Sequence, residues 1–161
     1  MKKLIMIGLL LCLMSGCGKD YGTFEQGDKE LSRVFSDINE QIDKGSFSIP
    51  LLNDRALSDR EVETLYHLDM TKIADCMVKT AAVQAQLGEI AIFKVEKKNE
   101  SYVKKAIKSR KEALKKQWGS YVEEANNLLY QAKEGRIGQY YYFVLGSDSE
   151  KVVNYMQKID A

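Results

Sequence analysis

The chain has one histidine, one proline, one tryptophan and three cysteines in 161 residues, and its charges nearly cancel, with 24 Lys and Arg against 23 Asp and Glu. Each scarcity removes a class of function. His67 lacks the second imidazole or nearby thiol that a zinc set needs, and the acids around it, Asp59, Glu61, Glu63 and Asp69, do not follow the D-x-[DN]-x-[DN]-G order of a calcium loop. No metal or other cofactor is expected. No phosphate loop, G-x-S-x-G or H-E-x-x-H sequence occurs, and a lone His67 has no serine and aspartate setting to serve. Glu89 has no visible partner for acid chemistry. The chain therefore reads as non-enzymatic, with no catalytic residue. Its balanced charge gives no footprint for nucleic acid. The apolar run at residues 4–14 reaches only about 16 Å as a helix, against roughly 30 Å of bilayer hydrocarbon. It is too short to span a membrane.

What is present begins at the N-terminus. Lys2 and Lys3, that apolar run, and then Ser15, Gly16 and Cys17 have the charged, apolar and small-residue layout of a secretory leader. Residues 13–17, Leu-Met-Ser-Gly-Cys, resemble the lipobox of bacterial lipoproteins, with Met14 at the position where that family most often has Leu. The resemblance implies a thioether-linked diacylglyceryl group on Cys17 and a cut between Gly16 and Cys17. It also implies that the protein sits on the extracytoplasmic face of a bacterial cell membrane, with the membrane as its partner through that lipid. Burial contributes about 0.8 kcal/mol per methylene, and two chains hold where one is marginal. Cys12 falls in the discarded leader. Cys76 is then left without a partner, and its apolar, β-branched surroundings predict a small buried hydrophobe.

Removing residues 1–16 leaves 145 residues, enough for one core, with 22 basic and 23 acidic side chains. Residues 17–27, glycine-rich and without periodicity, read as a flexible tether of roughly 17 Å r.m.s. reach. Residues 28–161 read as a single domain. Leu31, Val34, Phe35, Ile38 and Ile42 step at helical spacing from a possible cap at Asp28 to a stop at Gly45. The only proline, Pro50, marks an extended connection, and Ser58 to Glu61 has the spacing of a capping box for a short turn to Tyr66.

Strands are predicted over residues 72–82 and 89–95, joined through Gln86, Leu87 and Gly88. A long helix follows over 99–118, with Gly119 separating it from a second piece at 121–132. Gly135 and Gly138 are expected to bracket a turn before the aromatic strand 139–145, apolar on both faces and so placed in the middle of a sheet. A last helix starts at Ser147 or Asp148. The fold class is α+β: a small antiparallel sheet of about three strands packed with helices, in the order α-β-β-α-β-α after the leader.

Four features taken together resemble a family of surface lipoproteins of Gram-positive, mainly clostridial-type, bacteria whose members carry a domain of unknown function. They are the strand at 88–95 (GEIAIFKV), the lysine-rich helix carrying Arg110 and ending Trp118-x-x-Tyr121, the tyrosine-rich strand, and the Ser-Asp-initiated helix. The resemblance covers about residues 29–159 and implies an anchored lipoprotein without implying an activity.

Residues 97–116 hold nine Lys or Arg against Glu100 and Glu112, whereas residues 20–69 hold twelve acids against five bases. Lys104, Lys105, Lys108, Lys111 and Lys115 are the candidate contacts to an anionic surface. The competing reading is a solvated face, or one paired with the acidic N-terminal half. The expected role is a non-catalytic binding or assembly component of the envelope, whose further partner is an envelope protein or an anionic polymer. The alternative is capture of a small ligand for a transporter.

Overall fold

The computed structural model describes residues 29–119 and 123–159. The leader, Cys17, the tether, Asp28 and Tyr121 lie outside them. Helix α1 (Lys29–Asp43) buries Leu31, Phe35 and Ile38 along one stripe. Gly45, at φ 71°, follows it, a left-handed conformation that glycine adopts without steric cost. The connection through Pro50 packs Phe47, Ile49 and Leu52 into the core, as expected. Helix α2 (Asp59–Tyr66) opens on the anticipated box, in which the Ser58 backbone N–H and hydroxyl both donate to Glu61 Oε2 at 2.7 Å. Arg55, and then these bonds, hold the Glu61 carboxyl well below the usual carboxylate range.

The strands are β1 (Asp75–Thr80), β2 (Glu89–Lys94), β3 (Lys133–Ile137) and β4 (Tyr140–Leu145), forming one antiparallel sheet in the order β1-β2-β4-β3. Helices α3 (Glu100–Trp118) and α4 (Glu123–Gln131) lie between β2 and β3 in sequence, and α5 (Ser149–Ile159) ends the described chain. The α+β reading and the rough order of elements hold, but the sheet has four strands where about three were expected.

The additional strand is β3. Its sequence, Lys-Glu-Gly-Arg-Ile, has a single large apolar residue and no period-2 pattern, which is why local pattern predicts a turn there. Pairing with the strongly β-forming β4 recruits it as an edge. Gly138, at φ 53°, is the first residue of a two-residue hairpin loop, whereas Gly135 lies inside the strand. Gly135 faces Tyr142 directly across the pair, and a Cβ there would come within 2.5 Å of the Tyr142 hydroxyl oxygen. The tyrosine ring covers the glycine that its own partner strand provides. Gly135→Ala is expected to displace Tyr142 and to lower stability by about 1–3 kcal/mol, the usual cost of overpacking. Urea unfolding checks this, and an unchanged midpoint would mean that Tyr142 turns away freely.

Both faces of the sheet are buried. Cys76, Val78, Ala91, Phe93, Tyr141, Phe143 and Leu145 face the layer of α2, α3 and α4, while Met77, Ile90, Ile92, Tyr142 and Val144 face α1, α5 and the Pro50 connection. Strict alternation along β2 and β4 therefore feeds two cores, which is why these strands read as continuous apolar runs. The β1 edge is covered by the Pro50 connection, where Asn53 N–H donates to Thr80 O at 2.9 Å and Leu57 N–H to Val78 O at 2.8 Å. At the start of α5, the Asp148 carboxylate accepts the Ser48 N–H at 2.6 Å and so ties that connection to the last helix. Cys76 is buried as expected, and desolvation, reinforced by Asp59 and Asp75, pushes its thiol up to about 12.

Candidate functional site

Helix α3 buries Val103, Ala106, Ile107 and Leu114, positions that recur every three or four residues. That register fixes where its cations point. At about 100° per residue, Lys104, Lys108, Lys111 and Lys115 fall within about 60° of arc, one stripe beside the apolar one. Lys105 stands about 100° round the helix from Lys104, on the outward side. The structure thus brings four of the five candidate lysines together and separates the fifth.

The stripe runs alongside the β3–β4 hairpin. Lys104 Nζ sits 5.4 Å from the centre of the Tyr141 ring, and Lys111 Nζ lies 3.6 Å from Glu134 Oε2. Among the described residues, Lys105, Lys108 and Lys115 make no ion pair, and the partner of Lys111 comes from β3. Among the described residues, no acid of residues 31–69 forms an ion pair with this helix. Arg136, on β3, adds a further cation to the same region; its guanidinium meets Glu100 Oε1 at 3.0 Å and lies 5.8 Å from the Tyr141 ring.

Arg110 departs from the basic face altogether. It turns inward to Glu89, with Nη2 2.6 Å and Nε 3.1 Å from Oε2, and Nε 3.3 Å from Oε1. The Tyr66 hydroxyl donates to Glu89 Oε1. Glu89 is 1% exposed, and its charge is held by one partly buried guanidinium and one buried phenol. Burial, and then the Glu89 charge, push the Tyr66 phenol well above its ordinary value. The expectation that Glu89 has no partner is corrected here. Its partners lie 21 and 23 residues away on two other elements, a separation that no spacing rule connects. The cluster pins α2 and α3 to the start of β2.

Beside it, a cleft of about 470 Å³ is lined by Thr80, Gln84, Gln86, Gln117 and Trp118. Glu89 and Arg110 also reach this cleft, but each is already taken up by the other.

Two of the acids near His67, Glu61 and Asp69, are otherwise engaged. Glu61 is bound by Arg55 at 2.7 and 2.9 Å, and Asp69 accepts from Thr71 and pairs with Lys72 at 3.0 Å. His67 closes α2 in the left-handed conformation, at φ 52°. Among the described residues, no group of three or more His, Cys, Asp or Glu is placed to hold a metal ion, and no helix is long and apolar enough to cross a membrane.

No curated protein and no solved structure matches the chain. A family does, over residues 48–146, a span that takes in the Pro50 connection, the whole sheet and the layer of α2, α3 and α4, and leaves out α1 and α5. The match covers more than half of the chain and contains both the lysine stripe and the buried Glu89 cluster, so the protein belongs to the family described as Domain of unknown function (DUF4358).

Proposed function

We propose that the protein is a lipid-anchored, extracytoplasmic and non-catalytic component of a bacterial envelope. The diacylglyceryl group on Cys17 holds it at the membrane, and the stripe of Lys104, Lys108, Lys111 and Lys115 turns toward anionic headgroups. The observation that carries the second half is the common direction of these four side chains, three of them without a carboxylate partner among the described residues. Each cation near an anionic surface contributes up to about 1 kcal/mol, so four on one face act together where scattered ones do not. The lipobox supports the anchor, and the family resemblance supports the Gram-positive surface setting.

Cys17→Ala is expected to abolish lipid incorporation and processing, read by fractionation and by the mass of the chain; a variant still cut and still membrane-bound sinks the anchor. Replacing the four stripe lysines by Gln in unacylated protein is expected to abolish salt-sensitive attachment to phosphatidylglycerol vesicles. Attachment that ignores salt and lipid charge removes the electrostatic half of the proposal. Capture of a small ligand for a transporter is the second reading. It draws support from the cleft of about 470 Å³ beside Trp118, whose size falls in the range of small-molecule sites and whose lining offers three amide side chains.

A further inference from the structure

Between the lysine stripe and the β3–β4 hairpin lies a crevice of about 460 Å³ lined by Lys104, Ile107, Lys108, Glu134, Arg136 and Tyr141. Three of these are cations, and Glu134, the one carboxylate, is drawn toward Lys111. Arg136 and Tyr141 are direct cross-strand partners on β3 and β4, so both address α3 from the same face of the sheet. Arg136 uses Nη1 on Glu100 and Nε on the Gly138 carbonyl, which leaves N–H groups on Nη2 to donate elsewhere.

Tyr141 supplies an independent observation. It is 2% exposed, yet its hydroxyl is a buried polar atom with no hydrogen-bond partner among the described residues. Buried hydroxyls are ordinarily paired, and leaving one unmet costs the fold stability. Phenylalanine would fill the same volume without that cost. Lys104 and Arg136 lie 5.4 and 5.8 Å from the centre of the ring that carries this hydroxyl, and with Lys108 they supply a guanidinium fork and two ammonium groups for an oxyanion, beside a neutral O–H on the same tyrosine.

We propose that this crevice binds a single phosphoryl group, held by Lys104, Lys108 and Arg136 and oriented by the Tyr141 hydroxyl. The inference shares Lys104 and Lys108 with the anionic-surface reading but requires no vesicle and no contribution from Lys115. A soluble phosphate and the phosphate of a lipid headgroup offer the same chemistry to these donors.

The test is calorimetric titration of the full-length protein in neutral detergent with inorganic phosphate and with glycerol phosphate, acetate serving as the comparison anion. Binding of both phosphates in preference to acetate is expected. Tyr141→Phe is expected to weaken phosphate binding by about tenfold, as loss of one charge-assisted hydrogen bond does. Because the hydroxyl has no partner to lose, this variant should melt at or above the temperature of the unaltered protein, so weaker binding cannot be ascribed to unfolding. Arg136→Gln and Lys104→Gln should each weaken binding severalfold, and Lys105→Gln, on the outward side of α3, should leave it unchanged.

No binding at millimolar phosphate, binding unaffected by Tyr141→Phe, or an equal loss for Lys104→Gln and Lys105→Gln would each overturn the proposal. If binding holds, competition assigns its source. Phosphate that displaces the protein from phosphatidylglycerol vesicles places a headgroup in the crevice, and phosphate that binds without displacing it places a soluble phosphate there. If vesicles fail to bind while phosphate binds through Tyr141, the surface reading falls and this one stands.

Discussion

Arg110→Ala is expected to lower the unfolding free energy by about 3–5 kcal/mol, the usual cost of leaving a buried charge without its partner. The carboxylate of Glu89 is 1% exposed and takes three hydrogen bonds from Arg110, so removing the guanidinium leaves a buried charge with the Tyr66 hydroxyl as its remaining side-chain donor. Against a typical stability of about 5–15 kcal/mol for a domain, that is a large fraction. Equilibrium urea unfolding followed by circular dichroism measures it. The double variant Glu89→Leu, Arg110→Met removes both charges and keeps the volume, and it is expected to recover most of the loss. Arg55→Ala, at an exposed pair whose arginine side chain is 69% accessible, should change the midpoint too little to resolve. If Arg110→Ala costs less than about 1 kcal/mol, the value of an exposed pair, Glu89 is solvated and the buried cluster is not as described.

Phe143→Ala is the second large effect, about 3–5 kcal/mol for truncating a buried phenylalanine. Phe143 is fully buried in β4, between Ala91 of β2 and Glu134 of β3, and it shares its core with Val103, Ile107 and Leu129 of the α3 and α4 layer. Truncation opens a cavity where a central strand meets two helices, which leaves the surroundings little freedom to collapse. Phe143→Leu keeps most of the volume and should cost about 1 kcal/mol. The same unfolding measurement applies. Equal effects for Ala and Leu would indicate a loosely packed layer in which the α3–α4 side does not seal the sheet.

The ends and faces of the helices were legible because they are local. Leu31, Phe35 and Ile38 mark the inner stripe of α1 without reference to any other element, and the Ser58–Glu61 box marks the start of α2. The same periodicity placed Val103, Ile107 and Leu114 inward. What misled was strength of pattern. β3 has almost no apolar signal of its own and exists because β4 offers it a ladder, although the two-residue spacing at Gly138 and Gln139 is a hairpin signal that could have found it. The same helical periodicity steps Arg110 in line with Val103, Ile107 and Leu114, but nothing local names Glu89 as the group it meets.

By itself the sequence determined the resemblance to a lipoprotein leader, the α+β class, the central place of the Tyr-rich strand and the lysine-rich character of α3. All of these depend on residues within a few positions of one another. Only the tertiary structure decided that Glu89 meets Arg110 and Tyr66, that the sheet gains a charged edge strand, and that Lys104, Arg136 and Tyr141, whose hydroxyl has no partner among the described residues, line one crevice. Those groups come from elements separated by tens of residues. Their meeting depends on strand register and on how α3 docks across the sheet, and both are set by packing of the whole chain, not by any one segment of it.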